Sequence, residues 1–365
     1  MINDTLNEAV EISADTYWVG QRDNNILERN SYLRVFKAGG KKINIVIDPG
    51  PPVDFESLSI KLSKIIGDPK NVQIVFINHQ DPDVSYNATY LQKLNNNLII
   101  IATQDTWRLI RFYGLNDNNF KSVESFLNYR VMLSTGHRLI FVPTPFLHFR
   151  GACMIYDPET QILFSGDFFG GLSAKNSGLY VTEKDWDGIK SFHQIYMPSK
   201  DAIKLAIDSI RKLAPAPLVI APQHGGMIQG EILEEFIKRM YTLEVGIDLI
   251  KDTRLNSELK DLLNEIINEL KQHVPEEEIL SALKSFILDK TFPDLAIIRD
   301  GKVIEIKTDA VGVFGHIIKS LLSISDKNTK ILIRAKVVKA LLDRNLPLLD
   351  LDQGAGVEVP EFFEG

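Results

Sequence analysis

Three residues able to bind a metal stand two apart in the stretch Asn78-His79-Gln80-Asp81-Pro82-Asp83-Val84. Alternate residues of an extended chain share a side, so this spacing predicts that His79, Asp81 and Asp83 converge on one point. Phe146-Leu147-His148, Ser165-Gly166-Asp167 and Pro222-Gln223-His224-Gly225 offer two more imidazoles and a third carboxylate. Taken singly, each of these histidines reads better as a capping or core residue than as a ligand. Taken together with the acids, they have a cost unless a cation is present. Three carboxylates at close quarters repel, and at least one would hold a proton. A pair of metal ions removes that cost and fixes the imidazoles in their neutral form.

Each of these segments follows an apolar run of strand character, so a rigid scaffold is expected to present them as loop residues. Val72–Ile77 leads to His79, Leu139–Val142 to His148, and Leu218–Ile220 to His224. The runs 152–156 and 161–164 flank Asp157-Pro158 and predict a hairpin that delivers Asp167. Tyr32–Phe36 and Ile43–Ile47 flank Gly39-Gly40 as a further hairpin, and Leu98–Ile101 reads as another strand. Helices are expected over Glu56–Ile66, Ala88–Leu94, Thr106–Tyr113 and Asp201–Leu213, the last with Ile203, Ala206, Ile207 and Ile210 on one face. Two series of strands with intervening helices imply a sandwich of two sheets with helices outside.

The texture changes after residue 250. Leu255, Leu259, Leu262, Leu263, Ile266, Ile267 and Leu270 form a helical stripe, and Glu276-Glu277-Glu278 opens a second helix. Runs at 295–298 and 303–306 flank Asp300-Gly301, a hairpin signal. A helix near 312–325, a strand at Ile331-Leu332-Ile333 and a helix near 337–344 are expected to follow. At 365 residues two domains are expected, 1–250 and 251–365. Apolar content of 44% and charged content of 24% fit an ordinary globular protein, and the formal charge of −7 argues against a coat for nucleic acid. Cys153 is the only cysteine, which excludes a disulfide within the chain and a thiolate cluster. It lies inside a strand and reads as a small buried residue. The polar start Met1-Ile2-Asn3-Asp4 lacks a signal-peptide core, and no run approaches the ~20 apolar residues of a membrane span, so a cytoplasmic location is expected.

The ordered set His79-x-Asp81-x-Asp83, His148, Asp167, His224 resembles the metallo-β-lactamase superfamily, in particular its di-iron branch of flavodiiron and oxygen-binding di-iron proteins. Tyr156-Asp157-Pro158, the run 162–167 and Phe192-His193-x-x-Tyr196-Met197 are similar to the oxygen-binding subgroup. The resemblance covers roughly residues 15 to 250 and implies an α/β fold, an αββα sandwich, followed by a smaller α/β C-terminal domain. Carried over by position, one metal would be held by His79, Asp81, His148 and Asp167. The other would be held by Asp83, Asp167 and His224, with Asp167 bridging. Hydrolases of the superfamily place imidazoles where Asp81 and Val84 stand; the carboxylate here moves preference from zinc toward iron or manganese. Two iron ions are therefore expected, with manganese or zinc as alternatives. Flavodiiron sequences usually carry Glu at the position of Asp81, and Phe149-Arg150 replace a small residue and Pro, so Arg150 is expected to add positive charge near the site. His193 and Tyr196 are candidate catalytic groups, orienting ligating imidazoles or bound oxygen species. The remaining histidines, His137, His273 and His316, read as core or capping residues.

The function implied is a non-haem di-iron protein that binds or senses dioxygen, with output through the C-terminal region. An oxygen reductase served by a separate flavoprotein and a metal-dependent hydrolase are the alternatives. After residue 250 no glycine loop opens a doubly wound sheet, so no FMN is expected in this chain. An external reductase or signalling partner and a homo-oligomer are expected, and no membrane. Pro293-Asp294 followed by a hairpin and Glu305-Ile306-Lys307 resembles the Pro-Asp…(Asp/Glu)-x-Lys nucleases. That resemblance implies Mg²⁺ held by Asp294 and Glu305, Lys307 beside the attacking water, and nucleic acid as substrate. The alternative for this region is an interaction or dimerisation module.

Overall fold

Alternation of side chains fixes the layers of the first half of the molecule. Along the strands Tyr32–Ala38, Lys41–Ile47 and Ile74–Phe76, the side chains of Tyr32, Phe36, Ile45, Ile47 and Phe76 enter one apolar cluster. Their neighbours Leu33, Val35, Val46 and Val75 enter another on the opposite face. The partner sheet is read the same way. Cys153, Ile155, Ile162 and Phe164 join the first cluster, while Met154, Tyr156 and Leu163 face away. The shared cluster is the filling between two sheets. Each large side chain buried there contributes on the order of 1.5–3 kcal/mol of transfer free energy.

The computed structural model describes residues 8–23, 25–173, 177–250, 253–288, 295–307 and 310–343. The chain divides into two compact units, Met1–Gly246 and Ile247–Gly365. In the first unit a seven-stranded sheet runs in sequence order from Val10–Ser13 through Thr16–Trp18, Tyr32–Ala38, Lys41–Ile47, Ile74–Phe76 and Ile99–Ala102 to Phe120–Ser122. Its first four strands are antiparallel and the last three are added in parallel. The second sheet, six-stranded, is ordered Ile228–Gln229, Val219–Pro222, Ile162–Gly166, Cys153–Asp157, Arg138–Pro143, Arg130–Met132. Helices Phe55–Ile66, Ala88–Leu94 and Gln104–Ile110 cover the first sheet; Trp186–Tyr196, Lys200–Ile210 and Glu231–Thr242 cover the second. Helix, sheet, sheet, helix is the expected αββα sandwich. Arg34 crosses the filling, its Nε 2.8 Å from Asp157 Oδ2 and its Nη2 2.5 Å from Glu159 Oε2, so the two sheets share one buried ion pair.

The second unit has its own core, lined by the seven-residue stripe of helix Thr253–Leu270 and by Val313, Phe314, Ile317, Ile318 and Leu321 of helix Ala310–Ser323. The hairpin Ala296–Arg299/Lys302–Ile306 turns at Asp300 (φ 50°) and Gly301 (φ 69°), the two left-handed residues a tight hairpin requires. Asn264 covers one edge of this hairpin by bonding both the N–H and the carbonyl of Val303. One expectation is corrected here. Ile331-Leu332-Ile333 is not a strand but part of a single helix, Lys327–Asp343. Asp326 accepts from the backbone N–H groups of Asn328 and Thr329, which starts the helix ahead of the β-branched run. Thr329, Ile333, Val337, Ala340 and Leu341 then recur at helical spacing on its buried side. Residues from 344 onward lie outside the described residues.

Candidate metal centre

The six residues gather where strands of both sheets run out. Ile74–Phe76 lies parallel to Lys41–Ile47 and Ile99–Ala102, and the chain leaves its carboxyl end toward His79. In the other sheet Ile162–Gly166 and Val219–Pro222 are parallel, so Asp167 and His224 emerge at the same edge. Loops at the carboxyl ends of parallel strands make the crevice in which α/β proteins place their sites.

The extended register expected from His79 to Asp83 is not how the structure brings them in. Asp81 (φ −64°, ψ 140°) precedes a short helix, Pro82–Ser85, opened by the proline. Proline's locked φ suits the first helical position, so the chain turns there. Asp81 and Asp83 consequently address different imidazoles. Asp81 Oδ2 lies 3.1 Å from His148 Nε2 and 3.6 Å from His79 Nε2. Asp83 Oδ2 lies 3.3 Å from His224 Nε2. Asp167 joins the two groups. Its Oδ2 is 3.2 Å from His148 Nε2 and 3.7 Å from His79 Nε2, and its Oδ1 is 3.7 Å from His224 Nε2.

The donor atoms are aimed inward by their surroundings. His79 Nδ1–H donates to Asn78 Oδ1 at 3.0 Å, and His224 Nδ1–H donates to the Glu28 carbonyl at 3.1 Å. Both rings thereby turn Nε2 toward the carboxylates. His79 Nε2 and Asp167 Oδ1 are buried and have no hydrogen-bond partner among the described residues. Buried acceptor atoms left without a partner cost free energy unless something binds them. One or two cations between these groups would satisfy both atoms, and the set of imidazole nitrogens and carboxylate oxygens suits iron, manganese or zinc. His79, Asp81 and His148 alone bring their donor atoms within 4.8 Å of one another. The electrostatics agree. Burial works against ionisation of Asp167, yet His79, His148 and His224 hold it down to about 2. Burial likewise opposes charge on His148, but Asp167 and Asp81 push it up to about 10. A bound cation would displace that proton.

The remaining expected residues are distributed differently. Tyr196 is half-exposed at the mouth, its ring 6.1 Å from that of His148. Burial and then the charges of Asp167, Asp83 and Asp81 raise its phenol above the usual range. His193 does not orient a ligating imidazole. It is fully buried, its Nδ1–H donates to the Ile189 carbonyl at 2.7 Å, and its Nε2 accepts from the Phe169 N–H at 3.0 Å. With both nitrogens engaged by backbone it fixes the turn after Asp167, and burial lowers its pKa to about 4. Arg150 is exposed and pairs with Asp105 at 3.1 Å. In the second unit Asp294 lies outside the described residues. Glu305 and Lys307 are exposed on either side of buried Ile306, in a sheet of two strands among the described residues.

Several supporting groups escaped the sequence reading. Asp48, buried at the end of its strand, accepts from the Asn78 N–H at 2.8 Å and anchors the loop that carries His79. Burial pushes its carboxyl up to about 7. Gln80 Nε2 donates to Asp81 Oδ1 at 2.6 Å, and Gln223 Nε2 donates to the Asp83 carbonyl at 3.0 Å. An acid at the carboxyl end of an apolar strand, as in Asp48-Pro49-Gly50, is a signal that would have found the first.

Known proteins give the arrangement its family. A 24% identical structure of the chemotaxis sensor ODP, described as a peroxy di-iron species, matches with a TM-score of 0.54 over 66% of this chain and 96% of its own. Rubredoxin:oxygen oxidoreductase from Desulfovibrio gigas matches with a TM-score of 0.58 and 18% identity over 72% of this chain and 69% of its own. By sequence, an uncharacterized protein of Methanocaldococcus jannaschii is 28% identical over 69% of this chain and 66% of its own length. A diflavin flavoprotein A 1 of Nostoc is 26% identical over 49% of this chain, which spans only 31% of that protein. The family described as ODP family beta lactamase matches residues 27–225, a stretch that holds all of the converging residues but none of the second unit. The chain belongs to that family, on the di-iron branch of the metallo-β-lactamase fold.

Proposed function

We propose that the first unit binds dioxygen at a pair of iron ions and that the protein acts as an oxygen binder or sensor. The observation that carries this reading is the division of Asp167, whose two oxygens face separate imidazole–carboxylate groups. His79, Asp81, His148 and Asp167 Oδ2 would hold one ion; Asp83, His224 and Asp167 Oδ1 would hold the other. When bound, an iron pair supplies the electrons and open coordination positions that dioxygen chemistry requires.

The chain's own groups prepare that site. Val84 is fully buried in an apolar cluster, so the second group has fewer protein donors and more room for a small guest. Tyr196 keeps its Oη proton, held there by burial and by the three nearby acids, and can offer it as a hydrogen bond to that guest. His193 holds the backbone at Phe169 and so keeps Asp167 in register. The chemotaxis sensor ODP named above supports sensing. The match to the Nostoc diflavin flavoprotein covers under a third of that protein, so reductase activity is not carried over. Reductant and output partner are proposed to be separate proteins in the cytoplasm.

The test is metal analysis of anaerobically purified protein with absorption spectra before and after admission of air. Two irons per chain and a visible charge-transfer band on exposure are expected. Two zinc ions, rapid phosphodiester hydrolysis and no spectral response of the iron form would overturn the reading.

A further inference from the structure

Helix Lys327–Asp343 has two apolar sides, and the second unit uses only one. Thr329, Ile333, Val337, Ala340 and Leu341 are buried. On the opposite side Ile331 (59% exposed), Ala335, Val338 (38%) and Leu342 (48%) face solvent. Their spacing of four, three and four residues is the alternation of a coiled-coil seam, sustained for about 16 Å. Leu332 (44% exposed) adjoins this stripe on one side, and the small residue at its centre suits the close approach of another helix. The stripe lacks the broad aromatic face with which helices lie in a membrane surface.

Charge decides which helix. Lys327 and Arg334 flank the stripe on one side and Lys339 on the other, while the acids of the segment, Asp326 and Asp343, stand at its two ends. In a parallel pairing of two copies Arg334 of one helix would meet Lys339 of the other. Like charges at these positions disfavour parallel self-association, and the cationic flanks are complementary to an acidic helix. We propose that this face binds an acidic amphipathic helix of a separate protein, with apolar residues at heptad spacing flanked by Glu or Asp. The inference is independent of the metal reading, because it rests on the second unit alone.

The probe is a fluorescent helical peptide with Leu and Ile at the seam positions and Glu beside them, titrated with the full chain. A matched peptide carries Lys in place of Glu. Saturable binding of the acidic peptide, at least tenfold tighter than the basic one, is expected. Ala335→Glu/Val338→Glu, at exposed positions, should weaken it at least tenfold with unchanged circular dichroism. Lys327→Glu/Lys339→Glu should shift preference toward the basic peptide. Absence of binding, or binding indifferent to both double variants, would overturn the proposal. So would concentration-dependent self-association abolished by Val338→Glu, which assigns the face to a second copy. Sedimentation with phosphatidylglycerol vesicles that is lost in the same variant, without peptide binding, would assign it to lipid and equally overturn the proposal.

Discussion

Acid should weaken the first unit through His193, and the structure sets the size and window of the effect. The imidazole is fully buried, donates to the Ile189 carbonyl and accepts from the Phe169 N–H. Protonating Nε2 would both charge a buried ring and turn an acceptor into a donor facing another donor. Burial accordingly lowers the pKa from 6.5 to about 4. The unfolded chain binds the proton more readily, so stability is complete above pH 6.5 and is lost as pH falls toward 4. The full effect is about 3 kcal/mol, of which about 2 kcal/mol is spent by pH 5. His193→Phe removes the titration but leaves the Phe169 N–H without an acceptor, at a cost of about 1–3 kcal/mol. The assay is urea unfolding of metal-free protein, wild type against variant, from pH 8 to pH 5. Trp18, Trp107 and Trp186 all lie in the first unit, so tryptophan fluorescence reports on it alone. Wild type should lead the variant at pH 8 and lose about 2 kcal/mol of that lead by pH 5. A gap that stays constant across the range would refute the assignment of a neutral, backbone-bonded imidazole.

Asp167→Ala should abolish binding of both metal ions, whereas Asp83→Ala should remove one, as counted by metal analysis of purified protein. Gly166→Ala should lower metal content at unchanged metal supply, because a Cβ there would lie 2.1 Å from the Asn78 side chain that holds His79, at a backbone φ of 59°. Arg34→Ala leaves Asp157 charged and buried, so denaturant unfolding should show a loss of about 3–5 kcal/mol, and most of it should return in the Arg34→Ala/Asp157→Asn double variant.

Where local chemistry and tertiary placement agree, the sequence was legible. The Gly39-Gly40 hairpin, the helix ending at Gly67 and the four-residue apolar face of Lys200–Ile210 needed no partner to be read. The metal-type residues were legible because each follows an apolar strand. Their division into two groups was legible only by resemblance, since alternation in an extended chain would have put Asp81 and Asp83 together. Pro82 carried the contrary signal. At Ile331-Leu332-Ile333 a β-branched run outweighed the capping aspartate before it; two of the three side chains are exposed, so a strand-like composition had no sheet to join. His193 looked like a participant because of its type and neighbours. Its role depends on a backbone N–H contributed from 24 positions away, which no local pattern announces.

The three imidazoles of the proposed centre are not held alike, and this sets how metal comes and goes. His79 and His224 have side chains 0% and 3% exposed, and each is anchored through Nδ1 to a buried acceptor. His148 is 21% exposed, and its hydrogen-bond and ion-pair partners among the described residues are the carboxylates of Asp81 and Asp167, the atoms that would themselves take a cation. Removing His79 therefore strands Asn78 Oδ1 in the interior, at about 1–3 kcal/mol, which for a unit of this size lowers Tm by several degrees. Removing His148 takes from the buried Asp167 the imidazole nearest its Oδ2, a loss that matters only while residue 167 is a carboxylate. His148→Ala should release metal to a chelator at least tenfold faster; in the metal-free Asp167→Asn background, where no buried carboxylate is left behind, it should leave Tm unchanged, while His79→Ala should still lower it. Equal loss of Tm in the two variants would show that His148 is as much a part of the scaffold as His79. If the Tm values separate as expected, the solvent-facing side of the centre, between His148 and Tyr196, is the side through which ions exchange.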